Sequence, residues 1–225
     1  MPSLSRLSSA SSIVLDLLGA ILAPSRCAAC DTGVARRAVF CPACASTAQR
    51  ASPGLPGSGD EATLAAFVYG GALARAITRF KYERRPDLAR PLGDLLWTAV
   101  APQAQALRGT LVVPVPLHAA RLAERGYNQA ALLANRVAWR LGVPVHATAL
   151  SRVHDTPRQA TLDRAARLRN VAQAFRVRRP ADVAGRDVLL VDDVRTTGST
   201  AGACIAALAR AGVASVRTVV LAQAE

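Results

Sequence analysis

Two adjacent carboxylates followed by a run of hydroxyls are the residues best suited to chemistry: Asp192-Asp193-Val194-Arg195-Thr196-Thr197-Gly198-Ser199-Thr200. A hydroxyl-rich turn at the amino end of a helix suits a phosphate, because unpaired N–H groups and the positive end of the helix dipole face it. Thr196, Thr197, Ser199 and Thr200 supply hydroxyl donors beside Arg195, and Gly198 lets the backbone approach closely. Asp192 and Asp193 repel a phosphate and suit the hydroxyls of a sugar joined to it. The stretch therefore reads as a cradle for ribose plus 5′-phosphate. The plainer alternative, a strand end with a capping Asp and an ordinary turn, has no need of two carboxylates and four hydroxyls together.

Specific elements must position these groups. The apolar run Val188-Leu189-Leu190-Val191 has the length and β-branched content of a buried parallel strand, and the alanine-rich segment 201–211 reads as a helix. The turn between them then lies at the carboxyl edge of an open sheet, where α/β folds bind ligands. Further strands are expected at 63–69, 111–113, 144–150, 172–177 and 215–222, and helices at 70–82, 87–100 and 124–141. This alternation predicts an α/β fold, a doubly wound, mostly parallel sheet flanked by helices.

Three other clusters sit near the expected ligand edge. Pro114-Val115-Pro116-Leu117-His118 is a proline-stiffened loop, and Arg121 and Arg125 after it could neutralise a diphosphate through paired N–H donors. Solvated arginines on a rigid βα connection are the plainer alternative. Residues 151–170 are polar and basic, and Arg158, Gln159, Arg164, Arg167 and Asn170 suit a mobile flap closing on an anion, or else a solvated linker. Lys81, the only lysine, stands at a helix end, where it can meet an anion or simply oppose the helix dipole.

Cys27-x2-Cys30 and Cys41-x2-Cys44 are two knuckles that can bring four thiolates to one tetrahedral Zn²⁺. Two disulfides or a redox pair are the alternatives; the first is disfavoured in a reducing compartment and the second lacks a βαβ setting. Arg26, Arg36 and Arg37 are expected to help keep the thiolates ionised. No activating carboxylate accompanies the module, so a structural metal is expected. Cys204 reads as a small buried residue.

The 225 residues suit one α/β domain plus a small appendage, and 51% apolar content is ample for a core. A formal charge of +13 favours polyanions: nucleic acid, phosphorylated metabolites or acidic membranes. At 4% aromatic residues, no large base-stacking platform is visible. No apolar run is long enough to span a bilayer. The segment 13–23 resembles a signal-peptide core, but Asp16 interrupts it and no A-x-A site follows. A short amphipathic helix and a cytoplasmic location are expected instead.

The Asp192–Thr200 stretch resembles the signature of type I phosphoribosyltransferases, which bind phosphoribosyl pyrophosphate (PRPP). The cysteine module, Lys81-Tyr82, the Val-Pro-Val-Pro-Leu segment with Arg121, Arg125-Gly126-Tyr127-Asn128-Gln129 and the stretch 156–175 together resemble the ComF family. That family includes competence and gluconate-utilisation proteins. The resemblance implies a Rossmann-like phosphoribosyltransferase fold over 62–225, a zinc module over 1–45 and a linker over 46–61. It implies PRPP as ligand and Mg²⁺ as its companion, with ribose 5-phosphate on Asp192, Asp193 and the loop through Thr200. Pro116, Leu117, His118, Arg121 and Arg125 would face the pyrophosphate, with Lys81 nearby. The 6-oxopurine salvage enzymes carry an additional Asp at the position of Thr196, so that substrate class is disfavoured. Transfer of phosphoribosyl to an unassigned acceptor is the leading expectation. The alternative is a competence-associated factor handling single-stranded DNA, with DNA-handling proteins as partners and PRPP as a regulatory or vestigial ligand.

Overall fold

The computed structural model describes residues 25–52, 63–153 and 174–224. In chain order its main elements are α1 (Pro42–Ala45), β1 (Thr63–Val68), α2 (Gly71–Tyr82), α3 (Ala89–Val100), β2 (Leu111–Pro114), α4 (Ala119–Arg125), α5 (Gln129–Leu141), β3 (Leu150–Arg152), β4 (Phe175–Val177), β5 (Asp187–Arg195), α6 (Ser199–Arg210) and β6 (Ser215–Gln223). β1, β6, β5 and β2 form, in that order, a four-stranded parallel sheet. β3 and β4 form a separate antiparallel pair. The expected parallel sheet flanked by helices is present.

Both faces of the sheet are covered, which is why its strands are apolar throughout. In β5, Leu189 and Val191 join a core with residues of α2, α3 and α5, including Phe80, Leu92 and Leu133. Val188 and Leu190 join a second core with residues of α6 and the β3–β4 pair, including Leu208 and Phe175. This alternation is the two-residue period of a strand. It has a direct consequence for the two carboxylates that follow in the same strand.

Three elements differ from the sequence expectation. β5 continues past Val191 to Arg195, because its ladder with β6 runs on through Asp192 opposite Val220 and Arg195 opposite Gln223. The helix expected over 124–141 is two helices: Gly126 (φ 85°) ends α4, and the Asn128 side chain accepts from the Ala130 N–H at 3.0 Å to start α5. The strand expected over 144–150 shrinks to one parallel bridge between Val145 and Val112. Pro144 has no N–H to give such a ladder, and Leu150 pairs elsewhere, in β3.

Part of the stretch read as a linker adds to the sheet edge. Val68 donates to the Gln49 carbonyl at 2.9 Å, Ala51 donates to the Ala66 carbonyl at 3.2 Å, and Arg50 bridges Phe67 antiparallel. The amphipathic helix expected at 13–23 and the flap residues Arg158, Gln159, Arg164, Arg167 and Asn170 lie outside the described residues.

α3 and α5 pack unusually closely at Gly93, where a Cβ would stand 2.7 Å from both Cβ and Cγ of Arg136. A Gly93→Ala substitution is therefore expected to lower stability by about 1–3 kcal/mol, as overpacking does. Urea unfolding checks this, with an unchanged midpoint as the contrary result.

Candidate functional site

Because β5 extends through both aspartates, its alternation sends them to opposite faces. Asp193 lies on the α2 side, where Lys81 Nζ stands 2.9 Å from Oδ1, with side-chain exposures of 22% and 9%. Asp192 turns to the α6 side, and its Oδ1 accepts from the Asp193 N–H at 2.8 Å. Desolvation, and then the Asp193 charge, push the Asp192 carboxyl up to about 7, against the opposing pull of Lys81 and Arg152. The neighbouring carboxyl also helps hold the Cys204 thiol above its usual range, after burial itself.

After Arg195 the chain turns and enters α6 at Gly198 (φ 75°). A Cβ there would meet Arg195 Nε at 2.9 Å, so the glycine makes room for the guanidinium folded over the turn. Arg195 Nη1 is held by the Thr63 hydroxyl at 2.6 Å. The N-cap Gly198 has no side chain to cap α6; the Thr197 hydroxyl accepts from the Ser199 N–H at 3.5 Å and lies 3.1 Å from the Ser199 hydroxyl. Asp192, Arg195, Thr196, Gly198, Ser199 and Thr200 line one concavity at this helix end. A carboxyl, a guanidinium, hydroxyls and the N–H groups of a helix N-terminus converge there, a set able to take a sugar hydroxyl at one end and a phosphate at the other.

The proline loop enters from β2, next to β5: Pro114 pairs with Val191, and Val115 donates to the Val191 carbonyl at 2.9 Å. Pro116 and Leu117 follow, and His118 starts α4 by accepting from the Ala120 N–H at 3.4 Å. Arg121 is exposed on α4. Arg125 stacks 5.3 Å from the Tyr82 ring centroid and donates to Gln129 Oε1. Lys81, expected to meet an anion or to oppose the helix dipole, is paired with Asp193.

Sequence alone assigned no role to Tyr127, Asn128 or Gln129. Here Tyr127 donates to the Phe80 carbonyl, and Asn128 Nδ2 donates to the Val115 carbonyl at 3.0 Å, fixing the proline loop against α2 and α5. Gln129 is only 2% exposed; its Oε1 accepts from Arg125, and its amide Nε2 finds no acceptor among the described residues. The signal available in the sequence was the Arg125-Gly126-Tyr127-Asn128-Gln129 run itself.

The four cysteine sulfurs of Cys27, Cys30, Cys41 and Cys44 lie within 4.8 Å of one another. Zn–S bonds of about 2.3 Å in a tetrahedron put sulfurs ~3.8 Å apart, and the Cys30–Cys41 separation is 3.8 Å. The donor set therefore fits a metal such as zinc. The Thr32 hydroxyl, 3.3 Å from its sulfur, leads the groups that bring Cys30 down to about 6. Burial would raise Cys27, but backbone N–H groups, that of Cys41 foremost, bring it below its usual value. Burial pushes Cys44 up to about 11. Arg75 of α2, not singled out in the sequence, reaches the Cys44 sulfur at 3.6 Å. Arg79 of the same helix donates to the Ala28 carbonyl at 3.1 Å and pairs with Asp31 and Glu83. The module is thus bound to the helix whose last turn carries Lys81.

The parallel sheet and the hydroxyl-lined turn after β5 define a phosphoribosyltransferase-type domain, and the Phosphoribosyl transferase domain family matches residues 128–225. The chain is 32% identical over 201 residues, 85% of its length and 87% of the relative's, to the DNA utilization protein YhgH of Salmonella typhimurium. It is 35% identical over 156 residues, 68% of each chain, to Competence protein F of Haemophilus influenzae. Among solved structures, the allosteric regulatory enzyme of purine biosynthesis aligns over 64% of this chain and 29% of its own, at 21% identity and a TM-score of 0.43. The chain belongs to the ComF family, whose members include these two relatives. Among the described residues, no helix is long and apolar enough to cross a membrane.

Two outcomes are expected from this geometry. Purified protein should carry about one zinc per chain by metal analysis, and a Cys30→Ser/Cys41→Ser variant should lose it; full zinc retention would show that the metal sits elsewhere. Lys81→Met should cost about 3 kcal/mol in urea unfolding, because it strands a largely buried carboxylate, and adding Asp193→Leu should recover much of the loss. Additive losses in the double variant would show that the pair is not coupled.

Proposed function

We propose that the concavity at the start of α6 binds PRPP and that the protein transfers its phosphoribosyl group to an acceptor with release of pyrophosphate. The observation carrying this reading is the convergence of Asp192, Arg195, Thr196, Ser199 and Thr200 on one helix N-terminus entered through Gly198. In this reading the 5-phosphate takes the N–H groups and hydroxyls of the turn, and the Asp192 carboxylate accepts from ribose hydroxyls. Asp193 holds the strand end through Lys81 and faces the ribose only if that pair opens. Arg121 and Arg125 neutralise the diphosphate, and the flap residues Arg158, Gln159, Arg164, Arg167 and Asn170 close over it.

A nucleophile displaces the diphosphate at the anomeric carbon: the C–O bond to pyrophosphate breaks as the bond to the acceptor forms. Fixed charges meet the developing oxocarbenium ion, with no covalent intermediate on the protein. The oxygen donors at Asp192 fit a hard divalent cation, and Mg²⁺ would supply charge neutralisation on the diphosphate. Thr196, where a carboxylate would assist a 6-oxopurine, argues for a different acceptor. The proposed chemistry, which draws on a phosphorylated metabolite, suits a cytoplasmic protein.

A second reading is a DNA-handling factor in which the PRPP site is regulatory. It is favoured by the names of the relatives, DNA utilization protein and Competence protein F, and by the formal charge of +13. It adds single-stranded DNA and DNA-handling proteins as partners.

Calorimetry with Mg·PRPP tests the first reading, and pyrophosphate release with a panel of nucleobases and amines tests turnover. Wild-type protein should bind, while Asp192→Asn and Ser199→Ala/Thr200→Ala should bind weakly with unchanged melting temperatures. The Asp192 carboxyl, raised to about 7, is neutral below that pH and ionised above it. Affinity should therefore rise about tenfold from pH 6 to pH 8 in wild type, as the ionised fraction does, and this rise should shrink in Asp192→Asn. Absence of wild-type binding, or equal binding by the variants, would refute the PRPP site.

A further inference from the structure

Away from the sheet edge, the outer face of α3 and α5 carries both tryptophans of the chain. Trp139 is 68% exposed, an unusual position for an indole. Among the described residues, the groups set against its ring are cations. The Arg136 guanidinium lies 4.5 Å and that of Arg140 5.7 Å from its ring centroid. Arg140 also lies 5.9 Å from the Trp97 ring. Next to Trp97 in α3, the Thr98 hydroxyl accepts from Arg50 at 3.2 Å, and Arg50 stands 5.4 Å from the buried Phe67 ring. Guanidinium groups thus stand against both indoles of this face.

The arrangement is held in place. Asp94 takes Arg136 through two bonds of 2.9 and 3.0 Å and Arg140 through one of 2.9 Å. Gly93 admits the Arg136 stem against α3. Beside Trp139 a shallow concavity is floored by Ala89 and Leu132 and rimmed by Arg90, Asn135 and Arg136. Arg136 and Arg140 share Asp94 while Arg90 lies on the same rim, so the rim remains cationic after that pairing.

We propose that this face binds single-stranded DNA, with a base stacked on Trp139 and neighbouring phosphates on Arg90, Arg136 and Arg140. Exposed indole and guanidinium planes accept any base face, while arginines track the backbone without reading sequence. A duplex hides its base faces in the stack and gives Trp139 nothing to hold. A stable protein partner needs a broad apolar centre depleted of charge, whereas here one indole is ringed by cations. The platform is assembled from helices far apart in sequence, so a low aromatic count did not reveal it. The proposal rests on the DNA-handling reading, from which the choice of DNA over other single strands comes.

The test is fluorescence anisotropy of a labelled oligo-dT of about 15 nucleotides with the full chain, alongside Mg·PRPP calorimetry on the same proteins. Trp139→Ala should weaken oligo-dT binding by about 5- to 150-fold, the span expected for one stacked base. Trp139→Phe should retain part of the affinity, and Arg136→Gln/Arg140→Gln should flatten the salt dependence. In a Trp97→Phe background, Trp139 is the sole indole and its fluorescence should be quenched by oligo-dT. PRPP binding should be unchanged in Trp139→Ala. Wild-type binding with no loss in Trp139→Ala and no quenching would overturn the surface while leaving the DNA reading standing. No wild-type binding would overturn both. Equal affinity for duplex or oligo-rU would overturn the single-stranded DNA assignment, and concentration-dependent dimerisation lost in Trp139→Ala would assign the face to a second copy.

Discussion

The organisation of this protein depends on one helix, α2, and on the need of its cations for partners. Its apolar residues, Ala72, Leu73, Ala76, Ile77 and Phe80, are fully buried, so the helix cannot shift without disturbing the core. Its polar side chains are committed in two directions. Arg75 and Arg79 run into the cysteine module, and Lys81, in the last turn, runs to Asp193 at the end of β5. A cation at that depth is tolerable only when paired and hydrogen-bonded. The geometry of the cysteine cluster and the placement of the carboxylate strand are therefore set by the same rigid body. A metal that orders the module would act on the helix that holds Asp193.

Much of this was legible in the sequence. The Val188–Val191 run and the hydroxyl turn after the carboxylate pair identify the strand and the helix start in order, because each rests on local chemistry. The spacing of Cys27, Cys30, Cys41 and Cys44 likewise anticipates a compact cluster. What escaped depends on partners distant in sequence. β5 extends to Arg195 because β6 runs beside it, and only that extension separates Asp192 and Asp193 onto opposite faces. The break at Gly126 and Asn128 was present as a helix-stop glycine followed by a capping asparagine, and apolar periodicity masked it. Arg75 carried no signal, since its role exists only where α2 crosses the cysteine module.

The separation of the two aspartates resolves an electrostatic difficulty. Under the proposed reading, two ionised carboxylates beside the turn would repel the phosphate it is proposed to hold. Here Asp193 is neutralised by Lys81, and Asp192 is neutralised in part by a proton, because burial and the Asp193 charge raise it to about 7. The unliganded site thus presents less negative charge than its sequence implies, and Arg195 over the turn adds positive charge. A sugar hydroxyl that donates to Asp192 stabilises the ionised form. In the proposed reading, binding of a sugar phosphate and loss of the Asp192 proton are then linked: a carboxyl near 7 is only partly ionised at neutral pH, and a donating hydroxyl shifts it further toward the carboxylate.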